Sequence, residues 1–150
     1  VMTMFSHILV PLDGSDNSKS ALKVAIRISR YFGSSITLLA VIDQTRMTLA
    51  AGNIPMDIQS ELRRHATAVM DEGKKIAEEA GINVKTIVKN GSPKTVIVET
   101  ANQEDFDLVV IGKSGVDAIN RLLIGSTTAY VVRRANVQVL VVNAEDEQTK

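Results

Sequence analysis

Five short runs rich in Val and Ile, at residues 8–10, 36–42, 84–88, 108–111 and 137–142, set the tightest limit on what this chain can become. Buried parallel strands read as continuous apolar runs because helices cover both faces of their sheet. Between the runs, apolar residues recur at helical spacing. A first helix is predicted from Ser15 or Asp16 through Phe32, carried by Ala21, Leu22, Ala25, Ile28 and Phe32 and stopped by Gly33. A second covers 55–80, where Ile58, Leu62, Ala66, Val69, Ile76, Ala77 and Ala80 form one stripe closed by Gly81. A third opens at Ser92-Pro93, an N-cap followed by the residue best tolerated at the first helical position, and a fourth opens near Ser126. This alternation predicts an α/β doubly wound, five-stranded parallel sheet with helices on both faces. If strand four follows strand one across a switch point, the strand order is 3-2-1-4-5 and strand five is an edge.

Nothing splits the pattern into domains, so 1–150 reads as one domain with one compact core, long enough to bury roughly two thirds of its unfolded surface. The exception to the regular alternation is the polar loop 44–54, read as a surface connection first and a ligand lid second. Basic and acidic residues balance at 17 each, so no global field draws the chain to nucleic acid or to anionic lipid. The absence of cysteine excludes disulfides, thiolate metal sites and cysteine nucleophiles. The opening has no basic region ahead of an apolar run, and no apolar segment reaches 18 residues, which leads to the expectation of a cytoplasmic location.

In open α/β sheets, ligands sit beyond the carboxyl ends of the strands, where strand order reverses. Three segments fall there: Val10 to Ser15 after strand one, Val41 to Gln44 after strand two, and Ile111 to Gly115 after strand four. The tripeptide Gly112-Lys113-Ser114 resembles the end of a P-loop. That motif needs a glycine five residues upstream so that backbone N–H groups wrap the phosphates, and Asp107 stands there instead. The glycines still let backbone approach an anion, and Gly115 is expected to use an unusual φ as well. Farther on, Gly125-Ser126-Thr127-Thr128 opens a helix, where free N–H groups, partial positive charge and hydroxyls converge. Singly, each of these residues reads as a turn or a cap. His7, His65, Arg63-Arg64 and Arg133-Arg134 read as structural or solvated groups, and Asp43 as a turn residue.

The spacing Gly112, two residues, Gly115, nine residues, Gly125-Ser126 matches the G-x2-G-x9-G-S/T motif of ATP-binding universal stress proteins. The resemblance extends to the segments "ILVPLDGSDNSKSAL", "ITLLAVID", "GSPKTVIVETA" and "NVQVLVV", almost the whole chain. It implies an adenine nucleotide alpha hydrolase-like fold and an ATP site. Gly112 and Gly115 would contact ribose and phosphate, with Gly125, Ser126, Thr127 and Thr128 on the phosphates. Pro11, Asp13 and the Val41 backbone would line the ribose and adenine side. Asp13 would also approach a phosphate-bound Mg²⁺ or Mn²⁺. One departure is Val116, where members often carry Arg or Lys; Lys113 is the candidate to supply that cation.

The leading expectation is a nucleotide-dependent regulatory or stress-response module. Its competitors are a slow metal-dependent ATPase and an interaction protein that works without nucleotide. A phospho-receiver domain is rejected, because strand five is followed by Asn143 where that fold requires Lys. Strand five carries no Lys, no Pro and no evident bulge to defend an edge, so a homodimer through strand five is expected. The charged residues after Asn143 read as a solvated tail.

Overall fold

The computed structural model describes residues 4–44, 56–103, 105–115 and 123–144. In chain order its elements are β1 (His7–Leu12), α1 (Asp16–Phe32), β2 (Ser35–Asp43), α2 (Met56–Glu79), β3 (Val84–Gly91), α3 (Pro93–Gln103), β4 (Leu108–Gly112), α4 (Ser126–Arg134) and β5 (Gln138–Val142). The strands form one sheet in the order β3-β2-β1-β4-β5, and every pairing is parallel. Residues 45–54 of the polar loop, Val116 and the residues beyond Ala144 lie outside the described residues.

The side-chain alternation of the strands sorts the apolar residues into two layers. On one face Ile8, Val10, Leu12, Leu38, Leu108 and Val110 pack against Ala21, Leu22 and Ala25 of α1 and Ala66, Val69, Met70 and Ala77 of α2. On the other, Leu9, Leu39, Val109 and Ile111 meet Val96, Ile97 and Ala101 of α3 and Val131 of α4. The continuous burial expected of all five runs holds for β1, β2 and β4, which are covered on both faces. It fails for β3 and β5, where burial alternates, because both are outer strands with a wet side. In β3 the exposed positions include Lys85, Thr86 and Val88.

Local chemistry sets the ends of the elements. Ser15 caps α1 by accepting the Ser18 N–H at 3.1 Å, and Gly33 stops it at φ 70°, the left-handed conformation that glycine tolerates best. Asp107, the residue that broke the P-loop pattern, has a structural task. Its carboxylate accepts the N–H groups of Ser6 at 2.8 Å and His7 at 3.0 Å, and its own N–H donates to the His7 carbonyl at 3.0 Å. It thereby aligns the starts of β1 and β4. Those two strands register at Ile8↔Leu108 and Leu9↔Val109, whereas β1 and β2 stay in register to Leu12↔Ala40. The pairing of β1 with β4 therefore reaches only Leu9, short of the Leu12 reached with β2.

The stripe expected on α2 omitted Met70 and Gly73, both of which are buried. Gly73 escapes a hydropathy reading because it has no side chain. It matters because a Cβ there would overlap Leu12 Cδ1 and lie 3.2 Å from Leu38 Cδ1, so a larger residue would have to displace these leucines or α2. No helix among the described residues is long and apolar enough to cross a membrane. Gly73→Val should overpack this contact and destabilise the fold by about 1–3 kcal/mol, read as a lower urea midpoint at unchanged slope; an unchanged midpoint would show that α2 can back away freely.

Candidate functional site

The chain leaves β1 toward β2 on one side, while β4 lies on the other, so the switch point falls between β1 and β4. Gly112 ends β4 and Asp13 follows β1 directly, which brings the two segments singled out in the sequence to one crevice. Gly112, Gly115 and Gly125 do not adopt positive φ, which corrects the expectation of an unusual backbone at Gly115. Close approach is what requires glycine here. A Cβ on Gly112 would lie 2.7 Å from the carbonyl carbon of Asn17 and 2.9 Å from its oxygen. On Gly115 it would lie 2.6 Å from Asp13 Oδ2, and on Gly125 3.1 Å from Ser114 Cα. The three glycines thus draw β4 onto α1, the loop onto Asp13, and the start of α4 onto the loop.

Hydrogen bonds close this arrangement. The Gly125 N–H donates to the Lys113 carbonyl at 2.9 Å, so the two ends of the glycine segment meet at the carboxyl end of β4. The Lys113 N–H donates to the Val142 carbonyl at 2.8 Å and fastens the same point to β5. Thr128 is 3% exposed and its hydroxyl donates to the Gly112 carbonyl at 2.7 Å. That geometry lets Thr128 hold α4 against β4. Ser126 is exposed and Thr127 half-buried at the mouth of the crevice. Gly125, the N-cap of α4, has no side chain to bond the first-turn N–H groups, which no residue inside a helix can satisfy.

Asp13 is exposed, and its two carboxylate oxygens differ. Oδ1 accepts the Ser15 N–H at 2.9 Å and the Ser15 hydroxyl at 2.5 Å, while Oδ2 faces Gly115. Pro11 is buried and Val41 half-buried. Val41 packs with Leu9 and Leu39 on the α3 and α4 side of the sheet, and alternation from Leu9 places Pro11 on that side too. Among the described residues no three His, Asp or Glu side chains converge as a metal cluster. His7 Nδ1 lies 3.1 Å from the Asp105 carbonyl at the start of β1, and His65 Cε1 lies 3.9 Å from where a Gly14 Cβ would stand, against the β1–α1 turn next to Asp13.

Beneath the β1–α1 turn, Lys19 pairs with Glu72 at 2.9 Å, and this hydrogen bond holds the Lys19 ammonium above the usual lysine pKa despite partial desolvation. The bond joins α1 to α2 from outside the crevice. The residue missed by sequence reasoning is Asn17, whose amide bonds Ser114 Oγ at 2.9 Å and accepts the Ala144 N–H at 2.7 Å. Nothing in the sequence marks it, since a polar residue in a first helical turn is ordinary. Thr128→Val keeps the shape of the side chain and leaves the Gly112 carbonyl without its donor. It should lower stability by about 1–3 kcal/mol, whereas Thr128→Ser should retain most of it; equal losses in chemical denaturation would show that packing alone places this side chain.

The family model described as the universal stress protein family matches residues 4–143. A universal stress protein of Methanocaldococcus jannaschii is 33% identical over 140 residues, which cover 93% of this chain and 82% of that protein. Among solved structures, the universal stress protein UspA from Lactobacillus plantarum superposes with a TM-score of 0.81 at 31% identity, covering 94% of this chain and 99% of that one. A universal stress protein in complex with cAMP superposes with a TM-score of 0.69 at 26% identity, covering 95% of this chain and all of that one. Matched along nearly its whole length by the family model and by relatives of similar size, with the same sheet order and helical layers, this chain belongs to the universal stress protein family.

Proposed function

We propose that the crevice between the ends of β1 and β4 binds ATP with Mg²⁺ or Mn²⁺, and that the chain works as a nucleotide-dependent regulatory or stress-response module. The observation that carries this reading is the Gly125 N–H to Lys113 carbonyl bond, which holds the uncapped first turn of α4 at the end of β4. Free N–H groups of that turn, joined by the Ser126 and Thr127 hydroxyls, suit phosphate oxygens. The apolar side at Pro11 and Val41 suits ribose and adenine, and the cAMP complex of a relative supports an adenine ligand in this family.

Asp13 fits a divalent cation rather than a phosphate. With Oδ1 committed to Ser15, Oδ2 would repel a polyphosphate at close range unless positive charge lies between them. One carboxylate is a weak cation site on its own, so affinity for the ion should depend on phosphate oxygens supplied by the nucleotide. A bound ion would neutralise charge at that point; Asp13 would orient it, and Ser15 would orient Asp13.

Calorimetry should give micromolar ATP affinity, roughly −7 to −9 kcal/mol, strengthened by Mg²⁺ or Mn²⁺. Gly115→Val should abolish binding, since its Cβ would displace Asp13 Oδ2 as well as block backbone approach to phosphate. Ser126→Ala should weaken binding more mildly, because the helix N–H groups remain. Unchanged affinity in Gly115→Val would reject the site.

The proposal includes a homodimer through β5. The Val142 carbonyl turns toward β4, where it accepts the Lys113 N–H. Alternation then turns the N–H and carbonyl groups of Val139 and Val141 outward to the open edge. Leu140 is 38% exposed beside them. An apolar edge with outward-facing backbone donors and acceptors favours the same strand of a second copy, antiparallel about a two-fold axis. Light scattering should therefore give about twice the 16.2 kDa chain mass. Val141→Pro removes an outward N–H without breaking the β4–β5 ladder and should shift the protein toward monomer. A wild-type monomer at micromolar concentration would overturn the dimer.

A further inference from the structure

We infer that Asn17 is the positioning residue of the glycine loop and ties it to the chain just beyond β5; its effect on ligand rests on the nucleotide reading above. The Ala144 N–H can only donate, so Asn17 Oδ1 faces it at 2.7 Å, which leaves Nδ2 to donate to Ser114 Oγ at 2.9 Å. The backbone of the same residue supports Gly112, so closely that a Cβ on the glycine would meet Asn17 atoms at 2.7–2.9 Å. Gly112 thus rests on the Asn17 main chain, and Ser114 is held by its side chain. Between them, the Lys113 N–H is bonded to Val142.

Three consecutive loop residues are therefore fixed from α1 or β5, and the next, Gly115, meets Asp13 Oδ2. Asn17 needs no ligand contact to matter. Losing its amide would release Ser114 and, one residue on, the backbone that must approach phosphate. A small loss of loop position is enough to weaken contacts that depend on close approach. Asn17 is suited to the task because one amide supplies a donor and an acceptor a fixed distance apart. Leucine occupies a similar volume and supplies neither. Aspartate keeps the acceptor for Ala144 but places negative charge beside the anion site. Because one side chain serves both the loop and Ala144, ligand that orders the loop should also protect the Ala144 N–H, and the linkage runs both ways.

The test combines ATP–Mg²⁺ calorimetry with amide hydrogen exchange on the wild type, Asn17→Leu, Ser114→Ala and the double variant. Asn17→Leu and Ser114→Ala should each weaken ATP binding by about three- to tenfold, and the double variant should be no weaker than Asn17→Leu, since both remove one bond. Exchange at Ala144 should quicken in Asn17→Leu and stay at the wild-type rate in Ser114→Ala, a distinction that general destabilisation would not produce. If Asn17→Leu fails to fold, Asn17→Asp provides the second variant: Ala144 should stay protected while ATP affinity falls. Wild-type affinity in Asn17→Leu, or strictly additive losses in the double variant, overturns the positioning role. Wild-type Ala144 exchange in Asn17→Leu overturns the tether whatever the ligand. A wild-type protein that binds no adenine nucleotide overturns the nucleotide reading itself, and the exchange rates still decide the tether.

Discussion

The short parallel pairing of β1 with β4 is the constraint on which the rest of the structure depends. It joins the two halves of the sheet at Ile8↔Leu108 and Leu9↔Val109, and Asp107 clamps it at its start. Because those pairs are central and dry, the two apolar layers can be continuous across them. The register of β1 with β4 extends no farther along β1, and the switch point lies at the carboxyl ends of these two strands. The pairing that anchors the core thus also fixes where the switch point falls.

The glycine motif belongs to the same economy of space. Its residues serve close approach, with ordinary φ, and each approach brings a different element to the crevice. Gly112 admits α1, Gly115 admits Asp13, and Gly125 admits the start of α4. The bonds from Gly125, Lys113 and Thr128 then hold those elements without drawing on Ser126 or Thr127. The polar groups of Thr128 and of the Lys113 and Gly125 backbone are satisfied internally, while Ser126 is exposed and Thr127 half-buried.

The two outer strands show how the same sequence pattern acquires different meanings. In β3 the exposed Lys85, Thr86 and Asn90 interrupt the apolar run, as expected of an edge that meets water. In β5 the corresponding run is Val-Leu-Val-Val, and its outward-facing backbone lacks such protection. The difference in polarity between the two edges is therefore already present in composition, but only the strand order reveals that both runs are edges.

Local periodicity determined most of the architecture: five strands, four helices, the caps at Ser15 and Gly33, and the doubly wound alternation all follow from interactions within a few residues of one another. The motif from Gly112 to Ser126 was legible for the same reason, since its spacing is sequential. What the tertiary structure decided was everything that depends on neighbours distant in sequence. Gly73 gave no signal because its importance is the absence of a side chain opposite Leu12, and Thr128 resembled its neighbours until its hydroxyl was seen beneath Gly112. Asn17 was unremarked because its partners lie 97 and 127 residues away. A sequence records which groups each residue carries; only folding decides which of them are consumed in holding the chain together and which remain to meet a ligand.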